Sequence, residues 1–427
     1  MVKYINMNEK KEKVLLIIGN GFDLFHGLPT SFKDFFILVE NFSIIEECYL
    51  KAKNNKKKLC FNRKRIAFDN SIDRVEAFLD FVKKGEFTIR FYEKFKNIVQ
   101  KNKNRFANKL LEYFRFLKAK SKKSDINWCD FEMIIDDALH IIQDAFKCGF
   151  RNDLMRRNAD NDRMYLEKYN KIYDLYIKKV IENGNNSLKD REQMVINNML
   201  KDFKFFKIAF DIYINEFVNQ MKVDVFSIEL DEWYKKGDID YLSFNYLDYH
   251  NYSNLIKEEK KVTFIHGYTH EVGDNYESID KYYKNSIVIG IPDDSFNDAK
   301  YIEFQKFFQR IMNKTKGITI ESIEEYSSLI IFGHSLHKLD ETVLKIIFDA
   351  ASPQRHLYIY CHNQEDMKNK LMRVLSWYNK ETLIEKISNN SISFNILSKP
   401  VKYGTSYEEI VRIKNENAYK QSLDMIE

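Results

Sequence analysis

The stretch VLLIIGNGFD, residues 14–23, decides the fold class. Its first five residues form a short continuous apolar run, which is typical of a strand buried on both faces of a parallel sheet. The glycines that stop the run would let the backbone come close to a phosphate group, and the N–H groups there would favour negative charge. The stretch therefore predicts an α/β protein with a nucleotide-binding loop. The candidate ligand contacts are Gly19, Asn20, Gly21, Phe22 and Asp23.

Similar apolar runs follow only much later in the chain, at residues 241–244, 262–265, 286–289, 329–332, 357–360 and 391–396. Between about residues 45 and 235, apolar residues recur at helical spacing, with few glycines and no proline. We therefore predict a discontinuous Rossmann-like α/β domain, residues 1–44 and 236–427, interrupted by an all-helical insertion domain, residues 45–235. The ligand crevice of such a sheet lies beyond the carboxyl ends of its strands.

Composition limits the classes of protein that remain. Hydrophobic residues make up 44% and aromatic residues 15% of the 427 residues, which indicates a folded chain. No apolar run is long enough to span a membrane, and the N-terminus lacks the apolar stretch of a secretory signal. The five cysteines contain no Cys-x-x-Cys pair, which argues against a disulfide framework and a thiolate zinc site. We expect a cytoplasmic protein without a metal and without a membrane contact.

The net charge of +5 comes from one window. Residues 51–65, KAKNNKKKLCFNRKR, hold eight basic residues and no acid, so the rest of the chain carries a net charge of about −3. A local cluster of this kind does not indicate a nucleic-acid-binding protein as a whole. We expect a solvated basic loop between helices, and a nucleic acid contact through residues 51–65 is the less favoured alternative.

Two polar side chains follow neighbouring predicted strands. Asn245 ends the run in SFNYLD, and His266 ends the next run in FIHG. In one crevice, the asparagine would hold a ribose or a water molecule, and the histidine would accept a proton near neutral pH. The alternative is that Asn245 caps a turn and His266 is a core histidine with its hydrogen bonds satisfied.

The segment GHSLHKLD, residues 333–340, follows another predicted strand. It resembles the nucleophile elbow of serine hydrolases, but His337 stands where the closing glycine should be, so we reject that interpretation. The fingerprint G-x-G-x-x-G of NAD-dependent dehydrogenases, which would begin at Gly19, also fails, because Leu24 occupies its third glycine position. Asp340 would lie early in the following helix. The predicted ligand contacts in this segment are Gly333, His334 and Ser335.

Two further observations leave alternatives open. A metal site is a minor alternative, in which four histidines would converge, namely His26, His266, His334 and His337. In the predicted insertion, Glu132 follows Trp128 near the start of a helix, where we expect a solvated acid that the helix dipole stabilises.

Taken together and in order, these motifs resemble the AbiH family of bacterial proteins associated with abortive infection by bacteriophage. The matching pieces are IIGNGFDLFHGLPTSFKDF, NWCDFE, YLSFNYLD, FIHG, VIGIPDD, EFQKFFQRIMNKTKG and LIIFGHSLHKLDETVL. They extend from about residue 15 to 345. The resemblance implies a role in antiviral defence, with a phage-derived trigger or a partner defence protein and a homo-oligomer as expected partners.

A more distant resemblance links the same order of motifs to sirtuin-like NAD-consuming domains. It implies that Asn245 lies by the nicotinamide ribose and the attacking water, that His266 acts as the general base, and that NAD is the ligand. In this chain the acid after the asparagine comes at Asp248, one residue later than in sirtuin-like sequences, and Asp23 or Asp248 would orient His266. The zinc-ribbon cysteines of deacetylating sirtuins are absent, which argues against protein deacetylation.

The sequence thus favours an antiphage effector that hydrolyses NAD at the nicotinamide–ribose bond, with Asn245, His266 and Asp248 as catalytic residues. One alternative is a module that senses a nucleotide without NAD turnover and contacts nucleic acid or a partner protein. A third is a nuclease or phosphoesterase that uses the basic residues 51–65.

Overall fold

The computed structural model of the chain describes residues 11–40, 108–120, 128–150, 163–182, 186–220, 223, 225–247, 260–268, 287–315, 317–413 and 415. The predicted basic loop at residues 51–65 and the predicted catalytic residue Asp248 lie outside these ranges.

Six strands form one parallel sheet. They are β1 (Glu12–Ile18), β3 (Gly237–Ser243), β4 (Val262–Phe264), β5 (Ser328–Phe332), β6 (His356–Cys361) and β7 (Ile392–Ile396). Their order across the sheet is β4-β3-β1-β5-β6-β7, and all neighbours are parallel. Counted along the chain, this is the order third, second, first, fourth, fifth, sixth, which is the strand order of Rossmann-type sheets. The prediction of a parallel α/β sheet is confirmed.

A small second sheet pairs β2 (Val225–Phe226) antiparallel with β8 (Val401–Lys402). The remaining regular structure of the described residues is helical. The α-helices are α1 (Asn20–Phe25), α2 (Phe32–Glu40), α3 (Lys109–Lys120), α4 (Trp128–Lys147), α5 (Arg163–Ile172), α6 (Lys178–Glu182), α7 (Leu188–Glu216), α8 (Ile228–Lys236), α9 (Lys306–Asn313), α10 (Ile320–Ile323), α11 (Glu341–Ala350), α12 (Gln364–Leu375), α13 (Lys380–Ser388) and a segment over 407–413. A π-helical stretch (Tyr173–Ile177) joins α5 to α6, and short 3₁₀ turns cover Val218–Gln220, Ala299–Phe304 and Lys338–Asp340.

All regular structure described between residues 108 and 220 is helical, but strand β2 also lies within the range 45–235 that was predicted to be all-helical, and it pairs with β8. The boundaries of the insertion, at residues 45 and 235, stay predictions. No helix of the described ranges is long and apolar enough to cross a membrane.

Strand β1 is buried on both faces because it lies in the middle of the sheet. Val14, Leu16 and Ile18 pack into one core with the helices described between residues 108 and 220, called the helical region below. Leu15 and Ile17 pack into a second core, on the other face, with residues of α11 and α12. This two-sided burial explains why the run 14–18 is apolar without alternation.

The helical region packs on the first core through aromatic side chains. Phe35 of α2 lies with its ring centroid 5.7 Å from that of Phe206 and 5.4 Å from that of Phe210, both on α7. The hydroxyl of Tyr213, also on α7, donates a hydrogen bond of 2.6 Å to the carbonyl of Pro29. The aromatic stripes in the sequence are therefore core residues, and α7 lies directly against the segment that follows β1.

The strand predicted at residues 286–289 is wrong for its described part. Residues 287–290 are buried but belong to no strand. The amide of Ile289 donates to Oε1 of Gln309 at 3.2 Å, and the amide of Gly290 donates to Oε1 of Glu132 at 2.9 Å. The amide of Val288 donates to the carbonyl of His266, just after β4, at 2.7 Å. Because the next two amides bond to side chains, the apolar run is buried beside the end of β4 without forming a strand.

Candidate functional site

The loops that follow β1 and β5 touch at three glycines. The amide of Gly19 donates to the carbonyl of Phe332 at 3.1 Å, and the amide of Gly21 donates to the carbonyl of Gly333 at 2.7 Å. Gly333 has a φ of +67°, and a Cβ atom there would lie 2.0 Å from the amide nitrogen of Phe22. The glycines are therefore needed for the close approach of the two loops, at the position where the direction of the chain across the sheet reverses.

Asn245 follows β3 and ties it to the end of β1. Its Nδ2 donates to the carbonyl of Gly19 at 3.0 Å, while its own amide donates to Oγ of Ser243 at 3.0 Å. Oδ1 of Asn245 is buried and has no hydrogen bond partner among the described residues. An acceptor without a partner is thus held in a fixed position at the strand end.

Two histidines share the carboxylate of Asp340. Nε2 of His266, which follows β4, lies 3.0 Å from Oδ1, and Nε2 of His334, which follows β5, lies 3.4 Å from Oδ2. Nδ1 of His334 accepts a hydrogen bond from the amide of Leu336, so the proton of that ring faces Asp340. Nε2 of His266 faces the other oxygen of the same carboxylate, so the proton of this ring lies on Nε2. Its buried Nδ1 is then a bare lone pair, without a hydrogen bond partner in the described part of the chain.

Burial and the nearby charge of Lys306 lower the pKa of His266 to about 3, although Asp340 opposes this shift. The ring is therefore neutral at physiological pH. Burial alone would raise the pKa of Asp340, but the ammonium of Lys306 and the bond from His266 hold that pKa well below its usual range. The site thus combines a neutral acceptor on His266 with a permanent negative charge directly behind it.

Lys306 and Glu132 extend this cluster towards the helical region. Nζ of Lys306 lies 3.2 Å from Oδ1 of Asp340 and 2.9 Å from Oε2 of Glu132 on α4. Glu132 is only 2% exposed, so the prediction of a solvated acid is wrong. The ion pair with Lys306 and the bond from the amide of Gly290 explain how this carboxyl can be buried, even though burial raises its pKa.

Helix α9, which begins at Lys306, is reversed with respect to the usual pattern. Lys306 and Gln309 are buried, whereas Phe307 is 57% and Ile311 is 56% exposed. Arg310 also lies on the inner side, with Nη2 4.0 Å from Oδ1 of Asp340. Sequence reasoning missed these residues because an amphipathic helix normally turns its apolar face inwards. The available signal was the spacing of Lys306, Gln309 and Arg310 on one helical face.

A cavity of about 780 Å³ opens beyond the carboxyl ends of the strands. It also reaches Glu132, Lys306 and Asp340. Phe22, a predicted ligand contact, is not among the residues that line the cavity. It packs in the core, with its ring centroid 5.6 Å from that of Phe332. The predicted site residues that line the cavity are Gly19, Asn20, Gly21, Asp23, Asn245, His266, Gly333, His334 and Ser335.

The structure differs from two predictions, the acid that orients His266 and the metal site formed by four histidines. Asp340, and not Asp23, holds Nε2 of His266. Nδ1 of His26 bonds to the carbonyl of Phe22 at 2.7 Å, and His337 caps the 3₁₀ turn at Leu339. In the described part of the chain, no group of three or more His, Cys, Asp or Glu residues is arranged to hold a metal ion.

Comparison with known proteins yields one match. The family model described as bacteriophage abortive infection AbiH matches residues 88–361, nearly two thirds of the chain. No curated protein matches the chain, and no solved structure matches it. The matched span contains Asn245, His266 and Asp340, as well as both members of the ion pair between Glu132 and Lys306.

Proposed function

The chain belongs to the family of bacteriophage abortive infection AbiH proteins, and from this premise we propose that it is an antiphage effector that hydrolyses NAD at the nicotinamide–ribose bond. The position of the cavity supports a nucleotide ligand. It lies where β1 and β5 are neighbours, which is the place where sheets of this strand order bind nucleotides. Its volume is within the range of pockets that enclose small ligands.

One observation carries the hydrolytic part of the proposal. Nδ1 of His266 and Oδ1 of Asn245 are both buried acceptors without a partner among the described residues, and both residues line the cavity. A water molecule or a ribose hydroxyl supplies the donors that such acceptors require. The pairing with Asp340 fixes the tautomer in which Nδ1 of His266 can accept a proton.

In the proposed reaction, the oxygen of a water molecule attacks C1′ of the nicotinamide ribose. The bond from C1′ to the pyridinium nitrogen breaks, and its electron pair neutralises the ring, which leaves as nicotinamide. The proton of the water passes to Nδ1 of His266, and the other product is ADP-ribose. The negative charge of Asp340 stabilises the imidazolium and the positive charge that develops on the sugar.

Burial and the charge of Lys306 lower the pKa of His266 to about 3, so the ring enters the reaction in its neutral form. A neutral ring of this kind is a weak base, so it first orients the water through a hydrogen bond. The same weak basicity favours the second candidate, a nucleotide sensor that retains its ligand and does not turn it over.

The test is to incubate the purified full chain with NAD and to follow nicotinamide and ADP-ribose by chromatography. We expect product from the native protein and at least a 10²-fold loss of rate in His266→Ala and Asn245→Ala. His356→Gln is the matched control, because His356 lies at the start of β6, where it bonds to the carbonyl of Asn390 and to Ser393.

The native protein, His266→Ala and His356→Gln then distinguish the two candidates. Equal rates in all three proteins would overturn the assignment of His266. NAD retained in stoichiometric amount for hours, with no nicotinamide released, would favour the sensor. Salt-sensitive cleavage of RNA or DNA would instead support the nuclease alternative.

The expected partners follow from the same proposal. A nucleotide is the ligand of the cavity, and NAD serves as substrate and not as a bound cofactor. A homo-oligomer, a phage-derived trigger or a partner defence protein would keep the activity off in an uninfected cytoplasm. Contact with nucleic acid through residues 51–65 is not favoured.

A further inference from the structure

Lys306 joins the histidine pair to the helical region through two carboxylates, those of Asp340 and Glu132. Its ammonium lies between Asp340, which holds His266 and His334, and Glu132 of α4. Lys306 is 3% and Glu132 is 2% exposed, so neither side chain is a surface charge. Glu132 is itself anchored, because its other oxygen accepts the amide of Gly290.

We propose that Lys306 and Glu132 are positioning residues: Glu132 fixes the ammonium of Lys306, and Lys306 fixes the carboxylate of Asp340 on which His266 is oriented. The assignment of a catalytic task to His266 rests on the proposed function, but the positioning does not. The helical region thereby supplies a part of the site that the α/β sheet alone lacks.

The contacts of Asp340 show how the orientation of His266 depends on Lys306. Asp340 accepts at Oδ1 from both Lys306, at 3.2 Å, and His266, at 3.0 Å. Removal of Lys306 would leave the carboxylate to the two histidines and the more distant Arg310. Its negative charge would then act more fully on the imidazole rings. The expected result is a higher pKa for His266 and a looser ring.

The experiment follows the ring nitrogens of His266 by NMR in the full chain with selectively labelled histidine. The signal is assigned by its loss in His266→Gln. The facing charged groups are Lys306, Arg310 and Asp340, with His334 on the second oxygen of the same carboxylate. In Lys306→Met we expect the titration midpoint of His266 to rise by about one pH unit or more. In Lys306→Arg, which keeps the charge, we expect most of this shift to be absent.

Glu132→Gln tests the residue that lies farthest from His266 in the series Glu132, Lys306, Asp340. The amide oxygen of glutamine can still accept from Gly290, whereas the charge that holds Lys306 is removed. We expect this variant to perturb the His266 signal in the native background and to have no further effect in Lys306→Met, because Glu132 acts through Lys306. The double variant also keeps the test open if Lys306→Met alone fails to fold, since it leaves no unpaired carboxylate at Glu132.

Lys300 provides a matched control within the same segment. Its Nζ also lies between two carboxylates, 2.8 Å from Oε1 of Glu192 on α7 and 3.0 Å from Oδ2 of Asp298. Lys300→Met therefore removes an equivalent bridge to the helical region, away from the histidine pair. We expect the His266 signal to keep its native position and midpoint in this variant.

The outcomes separate this inference from the proposed function. A native His266 spectrum in folded Lys306→Met, or in the double variant, overturns the positioning role whatever happens to NAD. A shifted His266 spectrum in Lys306→Met, together with native protein that leaves NAD intact, supports the positioning role and counts against NAD hydrolysis. If NAD is hydrolysed, we expect Lys306→Met to lower kcat more than it raises KM, because ligand contacts elsewhere in the cavity persist.

Discussion

Oδ1 of Asp340 lies 3.0 Å from Nε2 of His266, although the two residues are 74 positions apart and follow different strands. β4 delivers the histidine and β5, with the turn after it, delivers the carboxylate. The sheet places β3 and β1 between these two strands, so the contact forms above the strand ends and not along a ladder. Several expectations depend on this pair and on the loops that support it.

On the proposed function, replacement of Asp340 by Asn is expected to lower the rate of NAD hydrolysis by about 10²-fold or more. The amide would keep the size of the side chain but remove the charge, and its NH₂ group would favour the wrong tautomer of His266. Product formation at saturating NAD is the measurement. Asp349→Asn, on helix α11, which begins directly after Asp340, removes a carboxylate bonded to Tyr378; it is the control and is expected to keep the native rate. Equal rates in the two variants would refute the role of Asp340.

The contact between the glycine loops predicts a large loss of stability for Gly333→Ala. The new Cβ would meet the amide nitrogen of Phe22 at 2.0 Å, on a residue whose φ is +67°. We expect the free energy of unfolding in urea to fall by about 3 kcal/mol or more. Gly404→Ala isolates the backbone cost, because its φ is +89° but no atom lies within 4 Å, and it should lose about 1 kcal/mol. A similar loss in both variants would contradict the predicted clash.

The pKa of His266, lowered to about 3, predicts an acid-sensitive fold. The unfolded histidine titrates near 6.5, so the unfolded chain binds one more proton than the native chain between these two values. The stability from this group is complete above pH 6.5 and is lost as the pH falls towards 3. Between pH 7.5 and 5.0, we expect His266→Gln to lose about 2 kcal/mol less than the native protein. Urea unfolding at both values is the measurement, and identical losses would exclude a buried neutral ring.

The lowered pKa of Lys207 predicts how the stability of the fold depends on pH above neutrality. It lies on α7, is fully buried and donates to Oε1 of Gln309 at 2.7 Å, and burial lowers its pKa to about 7. The native chain therefore binds fewer protons than the unfolded chain between pH 7 and 10.5. Stability should rise with pH in this window, by about 2 kcal/mol between pH 7 and 9. Lys207→Met should abolish the rise, whereas Lys204→Met, on the same helix, should preserve it. Parallel profiles for all three proteins would contradict the burial of Lys207.

The sequence was informative where one residue and its local pattern suffice. The apolar run at residues 14–18 predicts a central strand because its side chains are buried on both faces. Asn245 and His266 were predicted to share a crevice because each directly follows an apolar run, and both line the cavity. The run at residues 286–289 misled for the same reason: apolarity reports burial, and it does not report which groups accept the backbone amides.

Glu132, Lys306 and the role of Asp340 were missed because a buried ion pair looks like surface charge in a sequence. Each residue is polar and lies on a helix or beside one, and its partner is far away along the chain. Only the fold brings α4, α9 and the turn after β5 together. The spacing of Lys306, Gln309 and Arg310 places them on one face of a helix, but spacing alone does not show that this polar face is the buried one.

The position of β1 in the middle of the sheet also governs the order in which the protein can be made. Its two neighbours, β3 and β5, begin at Gly237 and Ser328, long after β1 has left the ribosome. The first strand must therefore wait, with its backbone unpaired, while the helical region is synthesised, and pairing over such distances is slow. The carboxylate of Asp340 emerges last among the groups that hold His266. A nascent chain thus carries no assembled cluster of His266, Asp340 and Lys306 until most of the protein has been synthesised.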